Sequence, residues 1–147
     1  MKMSEEILFV GTADAEHAEM YLKAIWHIVE RGERCRVTSI GKILNVREQS
    51  VVQMLKKLRE RGLIIYNKEG VRFTESGQEI GSTMMRNSRL LEVMMENVLK
   101  VEIDEEMVCG IEHHMNKQFT DALCIMLNHP RKWPHNHDIP MGICCQK

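Results

Sequence analysis

Aromatic residues are scarce in this chain, at 5% of 147. Packing must therefore rest on aliphatic side chains and on the thioethers of twelve methionines. There is no run of about 18 uncharged apolar residues, which excludes a membrane-spanning helix. The start, Met1-Lys2-Met3-Ser4-Glu5-Glu6, is acidic and the apolar run Ile7–Val10 is short, so no secretory signal is expected. A cytoplasmic location follows as the expectation. Five cysteines, odd in number and irregularly spaced, do not make a disulfide framework and fit a reducing compartment. Nothing reads as a nucleophile elbow, a phosphate-cradling loop or a paired-carboxylate site, so catalysis is not expected. Internal repeats and low-complexity segments are also missing.

What is present is an uneven charge. The net charge is −1, yet residues 31–73 hold eleven Lys/Arg against four Asp/Glu, while the remainder is acidic. A basic segment joined to acidic ones suits a module that meets a phosphate backbone on one face. The length allows one compact core, or two small domains sharing a helix.

Hydrophobic spacing predicts a helix over 15–32, with Tyr21, Leu22, Ile25, Ile28 and Val29 inward and Gly32 ending it. Thr38 is a candidate N-cap for a short helix to about Leu44. A third helix, about Gln49 to Arg61, buries Val51, Leu55 and Leu58 and turns polar side chains outward. Leu63–Tyr66 and Val71–Thr74 read as two β runs joined through Asn67-Lys68-Glu69-Gly70. Two short helices, a polar-faced third and a hairpin in that order predict a winged helix-turn-helix. A long helix is expected from Glu75 to about Val98, then one capped by Asp104 and a last one from about Thr120 to Leu127. Pro130, Pro134 and Pro140 mark an irregular tail.

The run Cys109-Gly110-Ile111-Glu112-His113 places a thiol, a carboxylate and an imidazole at i, i+3 and i+4. On a helix these share one face and converge. Borderline and soft donors together suit a first-row divalent metal such as iron, and do not suit calcium or magnesium. His114, one residue on, faces elsewhere.

Four segments in order, Glu19-Met20-Tyr21-Leu22, the winged motif, Met85–Glu92 and Cys109–His114, resemble the diphtheria toxin repressor family. The resemblance covers about residues 15–141, including Ile139-Pro140. It implies a mainly α fold, with an N-terminal winged helix-turn-helix followed by an all-helical dimerisation domain. The boundaries expected are 1–74 for DNA binding, 75–141 for metal binding and dimerisation, and 142–147 for a cysteine-containing tail. The family's function implies a homodimeric, metal-activated repressor on double-stranded DNA operators of metal-uptake genes. Carried over by position, the resemblance implies Met20, Cys109 (through its side chain or its carbonyl), Glu112 and His113 as metal ligands. Manganese-selective members place carboxylates where Met20 and Cys109 stand. Thioether and thiol donors make Fe(II) the first expectation, with Mn(II), Zn(II), Co(II) and Ni(II) as alternatives. The family's ancillary site is incomplete by resemblance: Ser88 stands at its helix-borne His, Glu92 is retained, and Glu105 stands at its other His. The longer members' C-terminal β-barrel is expected to be lacking.

Beyond residue 128 the chain concentrates His129, His135, His137, Cys144 and Cys145. His135, His137, Cys144 and Cys145 are candidates to complete or replace the ancillary site with Glu92 and Glu105, or to form a separate zinc or redox-sensitive site. A tail touching no metal is the plainer expectation. Cys35 and Cys124 read as packing residues. For DNA, Arg47, Gln49, Ser50, Gln53 and Lys57 lie on the exposed side of helix three, and Lys68 and Arg72 on the wing. Gln53 matches a base-contacting Gln of the family and can pair bidentately with adenine. The alternatives are a manganese- or zinc-responsive regulator of this architecture, and a winged-helix sensor of oxidants or small ligands.

Overall fold

The computed structural model describes residues 2–133 and 137–146, with side chains from Glu16 onward. Six α-helices and one two-stranded antiparallel sheet are found among them. The chain forms two compact units, the first ending at Gly81 and the second beginning at Ser82. Among the described residues no helix is long and apolar enough to cross a membrane.

In the first unit, α1 spans Lys2–Glu30, longer than periodicity predicts. Between Met3 and Ala18 a single glycine and no proline oppose helix continuation. Its inner face buries Tyr21, Leu22, Ile25 and Ile28, and Gly32 turns the chain at a left-handed φ of 75°. Helix α2 (Val37–Leu44) starts one residue before Thr38, so Thr38 is not its cap. The cap position is Arg36, extended and without a side-chain bond, because the Ile40 N–H already reaches the Arg36 carbonyl at 3.1 Å. Helix α3 (Glu48–Glu60) buries Val51, Leu55 and Leu58 and nothing else, which is the stripe the sequence predicts.

Strands β1 (Ile64–Asn67) and β2 (Gly70–Phe73) pair Ile64 with Phe73 and Asn67 with Gly70, leaving Lys68 and Glu69 at the tip. Asn67 Oδ1 accepts from the Glu69 N–H at 2.9 Å and closes the turn. Gly70 has φ 123°, and a Cβ there would strike the Cys35 carbonyl, which accepts from the Val71 N–H at 3.0 Å. The wing is thereby tied to the segment between α1 and α2. Ile64 and Val71 complete the core of this unit with Ile40, Leu55 and Leu58.

Helix α4 (Glu75–Val93) contains the boundary between the units and continues through a π-helical segment, Met94–Leu99. Lys100, left-handed at φ 56°, ends it. Helix α5 (Glu105–Glu112) is capped by Asp104, whose Oδ1 accepts from the Met107 N–H at 3.0 Å. Glu105 and Glu106 in its first turn suit the helix dipole. Helix α6 (Lys117–Met126) begins three residues earlier than predicted, because Asn116 Oδ1 accepts from the Phe119 N–H at 2.8 Å. Leu90, Leu91, Val93, Met95, Val108, Leu123, Cys124 and Ile139 form the second core. The tail returns through one antiparallel bridge, Lys132 to Asp138, and ends in a short 3-10 turn, Ile143–Cys145.

Candidate metal centre and nucleic-acid interface

Helix α5 brings Cys109, Glu112 and His113 together. His113 is the C-cap residue, still right-handed at φ −71° and ψ −16°, so the i, i+3, i+4 register survives the helix end. Cys109 Sγ lies 3.7 Å from His113 Nε2, and Glu112 Oε1 lies 3.6 Å from the same nitrogen. All three donor atoms fall within 4.8 Å of one another. Ligand atoms about 2.0–2.3 Å from a shared centre are separated by about 3–4 Å, so this spacing fits a coordination edge. Glu112 is fully buried, 0% exposed, and the His113 side chain is 2% exposed. A carboxylate removed from water needs a cation or hydrogen bonds around it. The thiol, carboxylate and imidazole thus fit a borderline divalent cation in donor chemistry as well as in spacing.

Two residues behind this group carry no prior expectation. Asn87, on α4 and 0% exposed, donates from Nδ2 to the Glu112 carbonyl at 3.2 Å. Thr120 Oγ1 donates to Asn87 Oδ1 at 2.7 Å and approaches the Asn116 carbonyl at 3.0 Å. Asn87 therefore fixes the end of α5, and Thr120 fixes the amide of Asn87. The available signal is a polar run, Arg86-Asn87-Ser88-Arg89, interrupting the apolar pattern of α4. All four are buried, so they do not form a solvated face. Arg89 donates to the Asp138 carbonyl at 2.5 Å and stacks over Trp133.

Met20 lies on α1 in the other unit and is 36% exposed. Of the ancillary candidates, Glu92 is buried and Glu105 is exposed. Glu92 therefore does not stand on a solvated helix face. Neither joins two further His, Cys, Asp or Glu side chains around one point among the described residues. His135 lies outside the described residues. His137 stacks on Trp133 with ring centres 5.6 Å apart, away from the cysteines' cluster. Cys144 and Cys145 converge instead with Cys124 and His129. Cys124, expected only to pack, is buried on α6 and also presents its thiol to that cluster. Cys35 packs in the first core, where burial pushes its thiol up to about 11.

The tail cluster is electrostatically polarised. Burial raises the Cys124 thiol, and its hydrogen bonds with Cys145 and Cys144 raise it further. Burial also raises Cys145, but a backbone hydrogen bond from Gly142 and bonds with His129 and the other thiols outweigh it and hold it low. Arg86 Nη2 donates to Cys144 Sγ at 3.0 Å, while Nη1 pairs with Asp121 at 3.0 Å.

On the first unit, Arg47, Gln49, Ser50, Gln53 and Lys57 are all exposed along α3 and its cap, and Lys68 and Arg72 are exposed on the wing. Arg59 differs from these. Its guanidinium donates to the Tyr66 carbonyl at 3.2 Å and covers the Tyr66 ring at 5.5 Å, bracing the wing against α3.

Residues 15–71 match the family described as iron dependent repressor, N-terminal DNA binding domain. Residues 74–141 match iron dependent repressor, metal binding and dimerisation domain. The chain is 31% identical over 110 residues to the HTH-type transcriptional regulator MntR of Bacillus subtilis (strain 168), covering 71% of this chain and 75% of that one. It is similar to the solved structure of the manganese regulator SloR, with TM-score 0.75 and 33% identity over 84% of this chain. The metal-dependent transcriptional regulator MtsR gives TM-score 0.77 and 28% identity over the same share. The chain spans 59% of the length of each of these two structures.

Proposed function

We propose that this chain, which belongs to the iron-dependent repressor family of metal-dependent transcriptional regulators, is a homodimeric repressor of metal-uptake genes whose operator binding depends on a divalent cation. The observation that carries the reading is the convergence of Cys109, Glu112 and His113 at the end of α5. Met20 is proposed as the fourth ligand, from its place on α1. Cys109, Glu112 and His113 would hold the cation from a helix end fixed by Asn87, and Met20 would add its thioether from the helix on which the reading head is built, so that binding would tie α1 to α5.

Each subunit offers α3 to a major groove and the wing to the adjoining backbone or minor groove. In this reading Arg47, Gln49, Ser50 and Gln53 approach base edges, whereas Lys57, Lys68 and Arg72 meet phosphate. A palindromic operator with half-sites about 34 Å apart, or a multiple of that, matches two-fold protein symmetry. Val98, Leu99, Met107, Ile111 and Phe119 are exposed apolar side chains of the second unit, and a dimer contact would cover such a surface. Tying Met20 to α5 restricts the orientations open to the heads. A preference for the binding-competent arrangement of ~10²-fold corresponds to about 2.7 kcal/mol, enough to switch occupancy substantially.

Thioether and thiol donors favour Fe(II) and later metals over manganese, so Fe(II) is the proposed effector. A manganese-responsive reading is favoured by the likeness to several solved manganese regulators, at 25–33% identity. Zn(II), Co(II) and Ni(II) should bind at least as tightly in vitro. The test is His113→Ala, which should abolish metal-dependent operator binding in a fluorescence anisotropy titration while the dimer stays folded. Unchanged metal-dependent affinity in that variant would contradict the reading.

A further inference from the structure

We propose that Cys124, His129, Cys144 and Cys145 form a second metal site, a closed tetrahedral site of structural type for Zn(II). Cys124 stands on α6, His129 just beyond it, and the two adjacent cysteines on the closing 3-10 turn. The separations of their donor atoms carry the assignment. Cys124 Sγ is 3.5 Å from Cys145 Sγ, and Cys144 Sγ is 3.8 Å from Cys145 Sγ. His129 Nδ1 lies 3.4 Å from Cys124, 3.5 Å from Cys145 and 3.8 Å from Cys144. The remaining pair, Cys124 and Cys144, falls within 4.8 Å. Zinc bonds of about 2.3 Å to sulfur and about 2.05 Å to nitrogen give tetrahedral edges of about 3.8 Å and about 3.6 Å. Five of the six edges, at 3.4–3.8 Å, therefore already lie close to those of that polyhedron.

The backbone supports the same assignment. Asn128 and His129 are both left-handed, at φ 62° and 50°. Two successive non-glycine residues in that region persist only where the surroundings over-determine them. Here the conformation places the His129 N–H on the Cys124 carbonyl at 2.8 Å and its imidazole among the three thiols. Charge is matched as well. Three thiolates and an imidazole around Zn(II) leave one net negative charge, and the Arg86 guanidinium donates to Cys144 from 3.0 Å away. Arg86 is itself buried and is held by Asp121 on α6.

Three sulfurs and one nitrogen make a softer set than Cys109, Glu112 and His113, with no position left open for exchange. The two groups share no ligand, so the tail site should fill independently of the effector site. Its effect is to fasten the last residues onto α6, whose Thr120 lies one turn before Cys124 and holds Asn87.

The test uses the full chain purified under reducing conditions without a metal-affinity tag. Zinc content, Co(II) spectra and reactive thiols are measured on wild type, on Cys109→Ser/His113→Ala and on that variant with Cys144→Ser/Cys145→Ser added. Wild type and the first variant should each retain one tightly held zinc after mild chelation. With Co(II) both should show the intense visible bands and near-ultraviolet charge transfer of a tetrahedral thiolate site. Adding Cys144→Ser/Cys145→Ser to the first variant should abolish both signals. Zinc should also protect Cys124, Cys144 and Cys145 of wild type from a thiol reagent, a readout that requires no substitution. The proposal is overturned if wild-type Co(II) gives only weak six-coordinate bands, or if its thiols stay reactive with zinc present. It is also overturned by a tetrahedral spectrum that survives when both pairs are substituted, or by an intact mass showing a disulfide among these cysteines.

Discussion

Replacing Asn87 separates a positioning role from simple space filling. The side chain makes two hydrogen bonds, donating to the Glu112 carbonyl at 3.2 Å and accepting from Thr120 Oγ1 at 2.7 Å. Both partners keep a second contact, Met115 N–H for the carbonyl at 3.3 Å and the Asn116 carbonyl for Thr120 at 3.0 Å. Neither is stranded in Asn87→Ala, so the loss is two net hydrogen bonds at about 1 kcal/mol each, or about 2 kcal/mol. For a chain of this size that lowers Tm by roughly 4–8 °C. Because the carbonyl belongs to a proposed ligand, metal affinity should fall by about 10–100-fold, as for other groups that orient ligands. Thermal unfolding followed by circular dichroism reads the first effect, and calorimetric metal titration reads the second. The nearly isosteric Asn87→Asp decides the cause. An aspartate still accepts from Thr120 but turns a buried carboxylate oxygen toward the Glu112 carbonyl, so at pH 8 it should be at least as damaging as alanine. An Asn87→Asp protein more stable than Asn87→Ala, with unaltered metal affinity, would refute the reasoning.

Gln53→Ala should relax base preference at one operator position by about 1–3 kcal/mol while leaving metal affinity intact, measured by competition among variant operators. Met20→Asp combined with Cys109→Glu should raise activation by Mn(II) relative to Fe(II), since oxygen donors replace thioether and thiol; anaerobic operator titrations with each metal give the ratio. Arg59→Ala should remove the brace between α3 and the wing. It should cost about 1–2 kcal/mol in a denaturant titration and weaken operator affinity more than it alters metal binding.

The winged unit is legible in the sequence because its signals are local. A three-residue apolar stripe on α3, and a hairpin preceded by Gly62 and turned at Gly70, each follow from spacing or backbone freedom within a dozen residues. Helix starts are less legible, since a cap depends on which carbonyl the first N–H reaches. Thr38 is a sound capping residue, yet bonding to the Arg36 carbonyl begins the helix before it. The Cys109, Glu112 and His113 group is readable because one helical turn brings it together. Asn87 is not, because its value lies in a carbonyl 25 residues away. The tail cluster lies further still from reach. Its ligands come from a helix, a left-handed turn and a terminal 3-10 segment, up to 21 residues apart. Composition shows that metal-capable side chains are dense there, but not that Cys124 belongs with them while His137 stacks on Trp133.

A crystal structure of the iron-loaded protein, with anomalous data collected above and below the iron edge, bears most directly on the central claim. The expected map has an iron peak coordinated by Cys109, Glu112 and His113, with the Met20 sulfur completing the link to α1. An iron peak elsewhere, or Met20 pointing away from an occupied α5 site, would contradict it.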